Sequence, residues 1–182
     1  MRRNQTLLEL LRELQALDRV PRSGYSLRGI AEPESVSEHS FHTTFLAWAL
    51  AAEEPELDRL RVVELSLVHD LAEVRTGDLP RTAAAYLPAG AKAEAEMAAA
   101  RDLLSPLGER AARLFAEYQA GETPEARFVV ICDKLQLLIK ASAYERWGAA
   151  GMDELFDNLE GLTDGGFEVI GRVMAELKAQ RD

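Results

Sequence analysis

The run VVELSLVHDLAEVRTGDLP, residues 62 to 80, constrains this chain more than any other stretch. Its apolar residues suit a protein core. Yet it places an imidazole, His69, beside a carboxylate, Asp70, with a second carboxylate, Glu73, three residues on. Titratable groups are costly to bury unless something pairs with them. A divalent cation is an economical partner, and the chain must then fold so that further ligands reach it. The alternative is a satisfied core histidine beside an exposed acid. On the His-Asp pair alone, both readings are open.

Helical spacing dominates the rest of the chain. Leu7, Leu8, Leu11, Leu14 and Leu17 predict a first helix over 4–18. Pro21, Gly24, Gly29 and Pro33 break the pattern into a loop over 19–34, which carries Arg19, Arg22 and Arg28. Ser35 or Ser37 is placed to cap a helix over 36–53, with Glu38 three residues after Ser35. Pro55 and Asp58 open a helix over 58–75, and Gly77 closes it. Loop and short helix around Pro80 and Pro88 fill 76–90, followed by helices over 91–104 and 106–119. Thr123 and Pro124 cap and start a long helix to about 147. A short helix over 152–159 and a final one over 164–181 complete the chain. Few runs alternate as half-buried strands do, so the predicted fold is all-α. It is a single domain over 1–182, with a core over about 5–160 and the C-terminal helix beyond it.

The remaining candidates lie on these helices. The chain has three histidines, His39, His42 and His69. On a continuous helix over 58–75, His69 and Glu73 share a face. His39 opens a strongly apolar helix beside the arginine-bearing loop, and His42 follows three residues later; either could instead be a core histidine. Asp133 sits within FVVICDKLQLLIKA, a helix apolar nearly all round, where an aspartate needs a cation. An Asp–Arg core pair is the alternative there, and Lys134 is expected to point elsewhere. A metal accounts for His39, His69, Asp70 and Asp133 together. Two imidazoles and two carboxylates suit Mn, Co, Zn, Fe or Ni.

Composition excludes some functions. The net charge is -10, a poor basis for non-specific binding to nucleic acid. The single cysteine, Cys132, cannot form a disulfide within the chain, which fits a reduced, intracellular protein. The N-terminus lacks the unbroken apolar region of a signal peptide. No stretch approaches the ~18 uninterrupted apolar residues of a membrane span. The expected location is the cytoplasm, with no nucleic-acid or membrane partner.

The order His39, then His69-Asp70, then Asp133 resembles the HD-domain metal-dependent phosphohydrolase superfamily. SVSEHS around His39, LVHDLAEVRTGDLP around the His-Asp pair and the later CDKL are similar to its 5′-deoxynucleotidase-like branch. VPRSGY, residues 20 to 25, is similar to a VPR-x-G-W stretch of that branch. The likeness covers about residues 5 to 160, and the last helix is least informative. It implies a helical HD domain, often a homodimer, with one divalent metal on His39, His69, Asp70 and Asp133. It implies that Glu73 and Asp78 assist catalysis and that Arg22 contacts the substrate phosphate. Tyr25 stands where the family usually has Trp, as a substrate-binding aromatic. His42 matches no ligand of the family and reads as a residue behind the ligands or in the core. Trp48 and Trp147 read as core or interface.

The implied reaction is removal of the 5′-phosphate from (deoxy)ribonucleoside monophosphates. Glu73 would orient a water or take its proton, and Asp78 would protonate the leaving oxygen. Arg22 would neutralise phosphoryl charge with paired hydrogen bonds. As solvated surface groups, all three would instead do nothing special. Arg75 and Arg81 flank the TGDLP turn as weaker phosphate candidates, and Glu38 orients a ligand or caps the helix. Other readings are an HD phosphohydrolase acting on a triphosphate or signalling nucleotide, or a non-catalytic nucleotide- or metal-binding module.

Overall fold

The computed structural model describes residues 5–157 and 161–181. Among these, helices form the whole architecture, and the one β-type contact is an isolated bridge between Pro21 and Ser35. The helices are α1 (Leu7–Leu14), α2 (Ser23–Ser26), α3 (Val36–Leu50), α4 (Arg59–Val68), α5 (Glu73–Thr76) and α6 (Arg81–Ala84). They continue with α7 (Ala91–Leu104), α8 (Glu109–Ala120), α9 (Pro124–Arg146), α10 (Asp153–Asp157) and α11 (Glu168–Ala179).

The helix starts follow from capping. Ser35 accepts the Glu38 backbone N–H, and Glu38 reaches back to Ser35, closing a capping box at the head of α3. Glu38 thus caps the helix. Thr6 and Glu9 make the same box for α1. Asp58 caps α4, and Thr123 caps α9 with Pro124 in its first turn.

Helices α3, α4, α8 and α9 pack around one core. Ala47 on α3, Ala51 just after it and Ala126 on α9 are fully buried small residues that let backbones approach. Leu65 on α4, Phe115 on α8, and Phe128 and Leu135 on α9 fill the space between them. Each such side chain contributes about 1.5–3 kcal/mol relative to exposure. Helix α11 joins this core through Val169 and Ile170, and Phe167 sets its ring edge-on to Phe128 at 4.9 Å. A second cluster ties the α2 loop to the far end of α9. There Tyr25 meets Tyr144 at 5.0 Å, with Met152 and Leu155 beside them.

Several elements depart from the expected boundaries. The first helix tightens into a 3₁₀ turn over Gln15–Arg19, and its expected start at residue 4 lies outside the described residues. The end expected at 159 for the short helix, residues 158–159, also lies outside them. The loop over 19–34 contains one helical turn, α2.

The largest difference is at the His-Asp pair. Helix α4 ends at Val68, and 69–72 form turns before α5. The Ser66 carbonyl is engaged by the His69 ring at 2.6 Å. The backbone tightens to i→i+3 bonds, Leu71 to Val68 and Glu73 to Asp70. His69 and Glu73 therefore do not share a face of one continuous helix.

Candidate metal centre and active site

Four elements deliver the polar cluster. His39 comes from the first turns of α3, His69 and Asp70 from the break after α4, Asp133 from the middle of α9, and Arg22 from the residue before α2. His69 Nε2 lies 3.3 Å from His39 Nε2 and 3.3 Å from Asp70 Oδ2. His39 Nε2 lies 3.4 Å from Asp70 Oδ2 and 3.0 Å from Asp133 Oδ1. Donor atoms of His39, His69 and Asp70 all fall within 4.8 Å of one another, a span that one ion can bridge.

The outer nitrogens decide what the inner ones can do. His69 Nδ1 is 2.6 Å from the Ser66 carbonyl, which only accepts, so Nδ1 carries the proton. His39 Nδ1 is 2.6 Å from Gln136 Oε1, whose amide nitrogen is turned to Glu34. Both Nε2 atoms thus face each other and two carboxylates. That arrangement needs positive charge between its members, and a divalent cation fits it.

The electrostatics agree. Burial works against a charged His69, and the Asp70 carboxylate outweighs it, pushing the imidazole up to about 9. Burial would raise Asp70, but His69, His39 and Arg22 hold it far below the ordinary carboxylate range. Asp133 is likewise lowered against its burial, by the neighbouring His39 imidazole. Its other oxygen is 3.5 Å from the Tyr118 hydroxyl, and the Tyr118 ring packs edge-on against His69.

Arg22 lies beside this cluster. Burial disfavours its charge, but Asp70 and Asp78 keep the guanidinium firmly protonated. Its Nη1 is 3.4 Å from Asp70 Oδ2 and 3.6 Å from Asp78 Oδ1. The Ser23 backbone N–H and hydroxyl donate to Asp78 Oδ2 at 2.6 and 2.9 Å. Gly77, at φ +70°, makes the turn that aims Asp78 back at this loop, a conformation that favours glycine. Glu73 is buried, and its Oε2 has no hydrogen-bond partner among the described residues. Burial, then the Asp70 and Asp78 charges, push its carboxyl up to about 10.

Arg22, His69, Asp70, Tyr118 and Asp133 line one cavity of about 950 Å³, with His39 buried behind them. Glu73, Asp78, Arg81 and Lys92 border it, and so does Lys134, which was expected to point elsewhere. A second depression, about 780 Å³, lies at Arg181, whose guanidinium is already paired with Glu145 and Asp153. It has no comparable donor set, so the chemistry belongs to the first cavity.

Other candidates fall elsewhere. Tyr25 is 1% exposed and donates its hydroxyl to the Leu137 carbonyl at 2.7 Å, bordering the cavity with little surface. His42 is not core: its side chain is 47% exposed, 3.8 Å from Glu34 on the side away from the cluster's Nε2 atoms. Trp48 and Trp147 are also outside the core, exposed by 48% and 72%. Arg75 is engaged with Glu13 and Gln5. Sequence reasoning missed Glu34, Gln136, Ser23 and Tyr118. Gln136 carried a signal, since it follows Asp133 by three residues and interrupts an apolar helix.

A family model described as HD domain matches residues 14–163. This chain belongs to the HD-domain family. Among its relatives, 5′-deoxynucleotidase HDDC2 of Bos taurus is 32% identical, covering 98% of this chain and 87% of the relative. A conserved hypothetical protein from Pyrococcus furiosus superposes with a TM-score of 0.79 at 31% identity, covering 94% of this chain and 99% of that one. A predicted metal-dependent phosphohydrolase from Magnetospirillum magnetotacticum superposes with a TM-score of 0.72 at 26% identity, covering 94% and 92%.

Proposed function

We propose that this HD-domain protein is a metal-dependent phosphohydrolase that removes the 5′-phosphate from (deoxy)ribonucleoside monophosphates. The observation that carries the reading is the pair of imidazole Nε2 atoms, 3.3 Å apart, facing Asp70 and Asp133 beside the guanidinium of Arg22. The naming of its relative as a 5′-deoxynucleotidase, and of a structural neighbour as a metal-dependent phosphohydrolase, supports it.

His39, His69, Asp70 and Asp133 hold one divalent ion, drawn from Mn, Co, Zn, Fe or Ni. When bound, that ion supplies Lewis acidity, lowering the pKa of water and offsetting phosphoryl charge. Arg22 takes the phosphoryl oxygens, held in place by Asp70 and Asp78. Glu73 faces the same cavity and takes or returns the proton of the attacking water. In the metal-free protein burial and the Asp70 and Asp78 charges raise Glu73, and the Asp70 part of that repulsion would be offset with an ion bound. Asp78 anchors the Arg22 loop through Oδ2, and its Oδ1 passes to the leaving 5′-oxygen the proton that Glu73 takes from the water. Tyr25 backs this loop at the border of the cavity, its ring packed against Tyr144.

We further propose a cytoplasmic homodimer. Phe41, Phe45 and Trp48 form a continuous exposed aromatic stripe on α3, with ring centroids 6.5 and 5.7 Å apart. A contiguous apolar patch of this kind favours a partner surface.

The test is phosphate release from a panel of deoxy- and ribonucleoside 5′-monophosphates with Mn, Co, Zn or Mg supplied. Turnover of monophosphates that stops with a chelator and with His69→Ala is expected. Protein that binds metal yet leaves every monophosphate intact would refute the activity.

A further inference from the structure

Glu34 lies outside the proposed metal-binding set, yet its side chain is fully buried against it. It touches both halves of the site. Its backbone carbonyl accepts the Arg22 N–H at 2.9 Å, which with the Val36 to Val20 bond stitches the arginine loop to the start of α3. Its backbone N–H donates to the Tyr144 hydroxyl at 2.7 Å. Its carboxylate faces inward. Oε2 accepts from the Gln136 side-chain amide at 3.2 Å, with Lys140 Nζ at 3.7 Å. Oε1 has no hydrogen-bond partner and lies 3.8 Å from His39 Nδ1.

These contacts have a direction. Glu34 Oε2 is the acceptor of its contact with Gln136. It therefore turns the NH₂ of Gln136 towards itself and leaves the amide oxygen facing His39. That oxygen, 2.6 Å from His39 Nδ1, requires a proton there. With Nδ1 committed to Gln136, Nε2 is the nitrogen left to bind a metal, pointing at His69, Asp70 and Asp133.

We propose that Glu34 is a positioning residue that fixes the tautomer of His39 through the Gln136 amide, and so sets how tightly the site holds a divalent ion. The inference rests on the metal reading above and adds a residue to it. A glutamine at position 34 can present either its oxygen or its NH₂ to Gln136. Gln136 is then free to flip, and its NH₂ turned to His39 favours the tautomer with its proton on Nε2, where it blocks metal binding. His69 provides an internal control, because its Nδ1 proton is fixed by the Ser66 backbone carbonyl, which no side-chain change alters.

The experiment uses the full chain and zinc alone, with Glu34→Gln, Gln136→Met and wild type compared. Zinc affinity is read by competition with a chromogenic chelator. The imidazole Nδ1 protons of the zinc-loaded proteins are read by NMR, and folding is read by thermal unfolding. Both variants are expected to lose about 10- to 100-fold in zinc affinity, the usual effect of removing such an outer partner. The His39 Nδ1 proton, protected in wild type, should exchange rapidly in Gln136→Met while that of His69 persists. Should Gln136→Met fail to fold, the near-isosteric Glu34→Gln decides the matter. Zinc bound equally by all folded proteins, with the His39 proton protected throughout, overturns this inference alone. Zinc bound by none, wild type included, removes the metal reading and this inference with it.

Discussion

Glu73→Gln should stabilise the metal-free protein while impairing turnover. The Glu73 carboxyl is 4% exposed, one oxygen lacks a partner, and Asp70 and Asp78 repel its charge. Its folded value, about 10, lies above the ordinary 4.5. The folded state thus binds a proton that the unfolded chain releases. Below pH 4.5 both states are protonated and Glu73 contributes no pH dependence. From there up to about 10, folding stability falls as pH rises, by about 1.4 kcal/mol per pH unit. At pH 7 the accumulated cost is about 3 kcal/mol, and at pH 5.5 it is about 1.4 kcal/mol.

Glutamine has nearly the same shape and does not titrate, so the variant escapes this cost. The other titrating groups are common to both proteins, so their contributions largely cancel in the difference. The assay is urea unfolding with a chelator present, for wild type and Glu73→Gln, from pH 5 to 8.5. The stability gap should favour the variant and widen with pH. Added divalent metal should narrow it, because charge at Asp70 is then offset. Unfolding free energies that stay parallel across this range would refute the reasoning, because Glu73 would then titrate alike in both states.

Two further predictions follow from the same geometry. Asp78→Asn keeps an oxygen to accept from Ser23, so the Arg22 loop stays, while kcat falls by about 10²- to 10⁴-fold for loss of the carboxylate that passes a proton to the leaving oxygen; Asp78→Ala should also raise KM, and steady-state kinetics with a good and a poor leaving group separate the roles. Trp48→Glu places charge in the α3 aromatic stripe and should shift a dimer to monomer in sedimentation velocity, whereas an unchanged sedimentation coefficient would remove that face as the interface.

What could be read from the sequence divides along a physical line. Helix starts were legible, because Ser35, Asp58 and Thr123 act on backbone groups two or three residues away. The fold class was legible for the same kind of reason, since helical spacing is a local pattern. The order of His39, His69-Asp70 and Asp133 marked which residues would converge, although they are separated by 30 and 63 positions. How they converge was hidden in two places. The break after Val68 depends on the His69 ring capturing the Ser66 carbonyl, and no residue between them is a helix breaker. The tautomer of His39 depends on Gln136, 97 residues away, and through it on Glu34. Local pattern names the donors, but long-range pairing sets which nitrogen carries the proton. The donors can therefore remain in place while the chemistry of the site is controlled from behind them.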